Sequence, residues 1–200
     1  METTLYLVRH GRPELPDGEM RFVGSTDLPL SREGREQAAT LRTAFMPIPL
    51  VRVCHSGMLR ASETAAVIAD GRDILRTEVP ELRELSFGEW EMRTLADVAA
   101  RDPREFAARE RNFARFAPPG GESFPDAQRR AMPAFRALSG EEGSILVVAH
   151  AGIFKTILFS ILGMPWENLF SVMQDYCGVH VIERTGEYLT VRRVNWTPHL

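Results

Sequence analysis

The stretch Leu5-Tyr6-Leu7-Val8-Arg9-His10-Gly11 decides how this chain is read. Four apolar residues in a row predict a short buried strand. Its carboxyl end delivers Arg9 and His10, and open α/β sheets bind ligands at the carboxyl ends of their strands. His10 can serve as a nucleophile, and Arg9 can hold an anion in a planar fork of donors. A second turn of the same kind, Ala149-His150-Ala151-Gly152, follows another apolar run at 144–148. Between the two lie an isolated arginine in Ser56-Gly57-Met58-Leu59-Arg60-Ala61 and the acid-rich loop Glu81-Leu82-Arg83-Glu84-Leu85-Ser86-Phe87-Gly88.

Outward from these turns, strand and helix patterns alternate. Residues 3–8 read as strand, followed by a polar, Gly/Pro-rich loop over 11–29. Ser31 caps a helix in which Ala38, Leu41 and Phe45 recur at helical spacing. Residues 50–54 predict a second buried strand, 60–70 a helix stopped by Gly71, and 75–78 a short strand. Over 95–116 the pattern gives two helical pieces parted at Asp102-Pro103, because proline disfavours continuation. A Pro118-Pro119-Gly120-Gly121 turn follows, and Ser123 with Asp126 forms a capping box for a helix to about 138. Residues 145–148 are strand, and 152–162 form a helix apolar nearly all round, hence buried. Residues 179–183 and 189–194 pair as a hairpin around Thr185-Gly186. This order predicts a three-layer α/β/α sandwich with a mostly parallel central sheet.

The length of 200 residues fits a single domain over 1–200, with a helical, lid-like insertion at about 92–122. A formal charge of −3 gives no general pull toward nucleic acid or an anionic membrane. Any phosphate site is therefore a local concentration of positive charge. Cys54 and Cys177 have no CxxC spacing and no zinc-type partners, which suits a reduced, intracellular protein. There is no signal-peptide pattern, and no apolar run approaches the ~20 residues of a membrane span. The expectation is a cytoplasmic protein, monomer or homodimer, with a small-molecule partner, no bound metal and no cofactor.

Both histidine turns end strands of one sheet, and Arg60 starts the helix after the second strand. His10, His150, Arg9 and Arg60 therefore converge on one edge, a pocket for a dianionic phosphoryl group. The helix near Gly152 adds backbone N–H donors at its positive end. A neutral imidazole can attack phosphorus in line and become phosphohistidine, and neighbouring guanidiniums favour that neutral form. Glu84, next to apolar Leu82, Leu85 and Phe87, is the candidate proton donor, since burial raises its pKa.

At this point the chain resembles a known family. Arg9-His10-Gly11, Gly24-x-x-Asp27-x-Pro29-Leu30-Ser31-x-x-Gly34, Ser56 through Arg60-Ala61 with Thr64-Ala65, Leu82-x-Glu84, Pro119-Gly120-Gly121-Glu122-Ser123 and Ala149-His150-x-Gly152 occur in the order of the histidine phosphatase (phosphoglycerate mutase-like) superfamily. The resemblance implies the α/β/α fold and a metal-independent phosphohistidine mechanism. It makes His10 the nucleophile and Glu84 the proton donor, with Arg9, Arg60 and His150 on the phosphate. Many members continue the first motif with Glu-Thr and a later asparagine. Here Arg12-Pro13-Glu14-Leu15-Pro16 stands instead, so Ser56 or the backbone near Gly24 is expected to replace a lost phosphate contact. The segments 87–93 and 161–165 are most similar to the α-ribazole 5′-phosphate phosphatases of that family, which belong to cobalamin biosynthesis.

Other residues have plainer readings. Glu81, Glu89 and Glu91 read as solvated, Glu122 as a structural or capping carboxylate, and Arg109 and Arg111 as solvated faces. His55 is either a further pocket donor or a loop histidine; His180 reads as a packed strand residue and His199 as tail. Phe87, Trp90 and Phe113 are expected to line a pocket for an aromatic leaving group. Three functions fit: a phosphomonoesterase, a cofactor-dependent phosphoglycerate mutase, and a noncatalytic module on the same fold. The length favours the first, because the mutases are usually longer. The presence of His10 and Glu84 argues against the third.

Overall fold

The opening apolar run forms β1 (Glu2–Arg9), and its alternation divides the core in two. Leu5 and Leu7 pack on one side of the sheet with Ile145, Val147, Phe135 and Phe154. Val8 faces the other side with Leu41, Phe45, Val53, Ile68 and Val148. Successive side chains of a strand point to opposite faces, so a strand buried on both sides must be apolar throughout. The structure, a computed structural model, describes residues 2–198; His199 lies outside them.

After β1 come α1 (Arg32–Phe45), β2 (Leu50–His55), α2 (Leu59–Ala69) and β3 (Arg76–Glu78). Next are α3 (Leu95–Arg101), α4 (Pro103–Arg111), α5 (Phe124–Ser139), β4 (Gly143–Ala149) and α6 (Ala151–Leu162). The chain closes with β5 (Val179–Thr185) and β6 (Tyr188–Trp196). The sheet order is β3-β2-β4-β1-β5-β6, parallel from β3 to β1 and antiparallel across β5 and β6. Helices α1 and α2 pack together on one face, α5 and α6 on the other. No described helix is long and apolar enough to cross a membrane.

Local signals explain most boundaries. The Ser31 side chain accepts the Gly34 N–H at the start of α1, and Gly71 follows α2 at φ +78°. Asp102 both ends α3 and begins α4, with Pro103 at the first helical position. Ser123 and Asp126 form the reciprocal capping box of α5.

The register of the central pair places the site. Arg9 lies opposite Ala149, so His10 and His150 both leave the sheet at the same level. The chain turns from β1 toward α1 on one face and from β4 into α6 on the other. The crevice between β1 and β4 is thus a topological switch point, where α/β sheets bind ligands. A further consequence concerns stability alone. Ser123→Ala removes the cap of α5 and should lower unfolding free energy by about 1 kcal/mol in urea titrations, with an unchanged m-value.

Candidate active site

His10 leaves β1 with its N–H bonded to the Ala149 carbonyl (3.0 Å). Its ring is buried, and Nδ1 lies 2.7 Å from the Gly11 carbonyl oxygen. A carbonyl only accepts, so Nδ1 carries the proton and Nε2 holds a lone pair. Arg60, at the start of α2, donates its Nε–H to that same Nε2 (3.2 Å). Burial holds His10 well below its ordinary pKa, and the Arg60 and Arg9 guanidiniums push it further down. The ring is therefore neutral, in the tautomer whose Nε2 lone pair accepts from Arg60.

His150 stands beside it, with ring centroids 5.0 Å apart. Ser56 Oγ lies 2.8 Å from His150 Nε2 and accepts the Met58 N–H (3.4 Å). The buried hydroxyl has no other acceptor among the described residues, so it donates to Nε2, which leaves the proton on Nδ1. That Nδ1 is buried and has no hydrogen-bond partner among the described residues. Burial, then His10, Arg60 and Arg9, also hold His150 neutral. Ser56, expected to touch phosphate, lies against the histidine and orients it.

Arg60 is 1 % exposed, and among the described residues no carboxylate is hydrogen-bonded to it. Its Nη1 donates to the Thr26 carbonyl (2.9 Å) and Nη2 to the Gly24 carbonyl (2.8 Å). Arg9 donates Nη1–H to the Gln174 carbonyl (2.7 Å) and lies over the Tyr176 ring at 3.8 Å. Its Nε is buried without a protein partner. Two guanidiniums and a second imidazole thus stand around the His10 ring. Such a cluster of buried donors suits an anion.

Glu84 follows the short 3₁₀ turn Pro80–Leu82, and its carboxylate reaches the first turn of α6. It accepts the Gly152 N–H (3.2 Å) and the Leu85 N–H (3.1 Å). Burial raises its pKa; the two N–H bonds and the Arg60 and Arg9 charges oppose that without cancelling it. Gly152 is needed for the approach, because a Cβ there would sit 2.5 Å from Glu84 Oε1. The expected phosphate donor at Gly152 is therefore occupied by the carboxylate.

The Gly24 amide is engaged in the same way. Its N–H donates to Glu91 (3.1 Å), and a Cβ at Gly24 would collide with the Leu85 carbonyl oxygen. Glu91, read from sequence as solvated, accepts from the backbone of Gly24, Ser25, Thr26 and Phe87 and from two hydroxyls. Those bonds overcome burial and lower its pKa. Glu91 folds residues 24–26 so that two of their carbonyls face Arg60. Glu89 has the same local composition, and sequence carries no signal that separates them.

Several peripheral readings also change. Trp90 is fully buried and stacks on Phe116 (5.2 Å), so it is core. Phe113 packs on Phe170 (4.5 Å) and carries the Arg109 guanidinium at 4.1 Å, so Arg109 is not a solvated charge. A cavity of about 230 Å³ opens above His10, lined by Leu15, Met20, Phe22, Phe87 and Tyr176, with Arg9, Arg60 and Glu84 at its base. His55 accepts the Gly57 N–H (3.1 Å) and fixes its own loop. Glu122 is structural: it accepts from the Ser86 N–H and the Arg130 fork. Buried Cys54 is pushed up to about 11, far from a reactive thiolate. Among the described residues no group of three or more His, Cys, Asp or Glu can hold a metal ion.

The buried neutral histidines set an acid limit on stability. His10, His150 and His180 (lowered to about 4) have folded pKa values below the ordinary histidine value of 6.5. Below about pH 6.5 the unfolded chain binds protons that the folded chain excludes, so stability rises with pH in this range. Unfolding free energy should fall as pH drops from 6.5 to 5; urea titrations showing a flat or opposite slope would contradict this.

Known proteins share this arrangement of sequence. The model of the histidine phosphatase superfamily (branch 1) matches residues 5–197. The adenosylcobalamin/alpha-ribazole phosphatase of Salmonella typhimurium is 33 % identical over 200 residues, covering 97 % of this chain and 98 % of that protein. A 2,3-bisphosphoglycerate-dependent phosphoglycerate mutase 2 of Gloeobacter violaceus is 31 % identical, over 86 % of this chain and 82 % of the mutase. The alpha-ribazole phosphatase of Shigella flexneri superposes with a TM-score of 0.89 at 28 % identity, over 97 % of this chain and 96 % of that one. The chain belongs to the histidine phosphatase superfamily.

Proposed function

We propose that the chain hydrolyses a small phosphomonoester through a phosphohistidine on His10, with α-ribazole 5′-phosphate as substrate. The observation that carries the chemistry is the His10 Nε2 lone pair, on a neutral buried ring among Arg60, Arg9 and His150. As substrate binds, the Arg60 Nε–H passes from Nε2 to a phosphoryl oxygen, and the freed lone pair attacks phosphorus in line, forming the N–P bond as the ester P–O bond breaks. Arg9, Arg60 and the His150 Nδ1–H hold the nonbridging oxygens as their charge develops. Glu84, its pKa raised by burial, gives its proton to the leaving alkoxide. In the second step water attacks phosphorus, its proton passes to the Glu84 carboxylate, and the N–P bond breaks. Phosphate leaves, and His10 returns to the neutral tautomer held by Gly11.

The substrate assignment rests on the walls of the cavity and on the relatives' names. Leu15, Met20, Phe22 and Phe87 offer apolar surface to a flat, aromatic alcohol portion. Segment 92–122 acts as a lid: Arg109 bridges from Phe113 to Phe22, which lines that cavity. The similarity to a phosphoglycerate mutase keeps a second reaction in view, in which phosphohistidine donates back to a sugar-acid phosphate.

Phosphate release from α-ribazole 5′-phosphate, 3-phosphoglycerate and 4-nitrophenyl phosphate tests this, with His10→Ala as blank. The expected result is a kcat/KM of ~10⁴ M⁻¹s⁻¹ or more for the ribazole ester and no phosphoenzyme in His10→Ala. Isomerisation of 3-phosphoglycerate without phosphate release would establish the mutase instead. Base-stable, acid-labile label in His10→Ala would remove His10 as nucleophile.

A further inference from the structure

Arg130 projects from α5 onto the loop that carries Glu84. Its Nη1 donates to two carbonyls just before that residue, Glu81 (2.7 Å) and Arg83 (3.0 Å). Nε and Nη2 fork onto Glu122, at 3.1 and 2.8 Å. Glu122 completes the grip on the other side: its carboxylate accepts the Ser86 N–H (3.2 Å), and its own N–H donates to the Ser86 carbonyl (2.9 Å). Residues 81, 83 and 86 are thus tied to one cation–carboxylate pair, with Glu84 in the middle.

The pair is not an ordinary surface salt bridge. Its side chains are 27 % and 28 % exposed, and both partners also bind backbone. Exposed pairs contribute little, but a planar fork fixes geometry as well as charge. Lysine has no such fork and can satisfy only part of the set. The far end of the Glu84 side chain rests on the Gly152 N–H of α6. Helices α5 and α6 pack on each other, and the loop is tied to α5 through Arg130 and to α6 through Gly152.

We propose that Arg130 and Glu122 are positioning residues for the proton donor. They hold segment 81–86 so that the Glu84 carboxyl group stays at the oxygen that leaves. The proposal rests on the reading of Glu84 as that donor. Loosening the clasp should harm proton delivery while sparing phosphate binding and attack by His10.

The test compares two leaving groups: an alkyl phosphate such as glycerol 2-phosphate, which needs a proton, and 4-nitrophenyl phosphate, which does not. In Arg130→Met, kcat/KM should fall ~10-fold on the alkyl ester and less than ~2-fold on the aryl ester. Arg130→Lys and Glu122→Gln should shift the same ratio by less, and they carry the comparison if Arg130→Met does not fold. Glu84→Gln is the reference and should show the largest shift. Equal losses on both esters in the Arg130 and Glu122 variants, or none, would overturn the clasp while Glu84→Gln stays selective. Equal losses in Glu84→Gln itself would remove the proton donor and the proposal with it.

Discussion

Arg60 is buried against the lone pair of His10 rather than against a carboxylate, and the rest of the site follows from that placement. A guanidinium taken out of water is costly unless its donors are met. Here the carbonyls of Gly24 and Thr26 meet two of them, and His10 meets a third. Those carbonyls point inward because Glu91 gathers the amides of the same loop. Burial first and this cation second keep His10 neutral, and the Gly11 carbonyl puts its proton on Nδ1. In the proposed reaction a dianionic phosphoryl group adds its negative charge to this cluster beside His10.

The acid side of the site shows a different balance. Burial raises the pKa of Glu84, yet the Gly152 and Leu85 amides and two arginines hold it from rising freely. A carboxyl group placed in this way can be a proton donor in one step and an acceptor in the next. The first turn of α6 therefore serves the carboxylate, and the proposed mechanism leaves the phosphoryl group to side-chain donors: Arg9, Arg60 and His150.

Much of the fold was legible in local sequence. The alternation in β1 and β4, the caps Ser31 and Ser123, and the break at Asp102-Pro103 each act within a few residues. The convergence of His10, His150 and Arg60 followed from the strand ends that carry them. What escaped is long-range partner choice. Nothing local separates Glu91, which nucleates the 24–26 loop, from exposed Glu89. The amides of Gly24 and Gly152 looked free for phosphate, but carboxylates 67 and 68 residues away in sequence occupy them. Trp90 resembled a pocket residue because its aromatic neighbours surround the site, whereas the packed fold buries it. Arg130 carried no motif, since its role arises only when α5 meets the acid loop.

The central claim is the protonation state of His10. Long-range ¹⁵N–¹H correlation spectra of the ¹⁵N-histidine-labelled protein, with His10 assigned by substitution, report it directly. The account predicts a neutral ring with the proton on Nδ1 and a lone pair on Nε2 across pH 6 to 8. A proton on Nε2, or an imidazolium in that range, would contradict it.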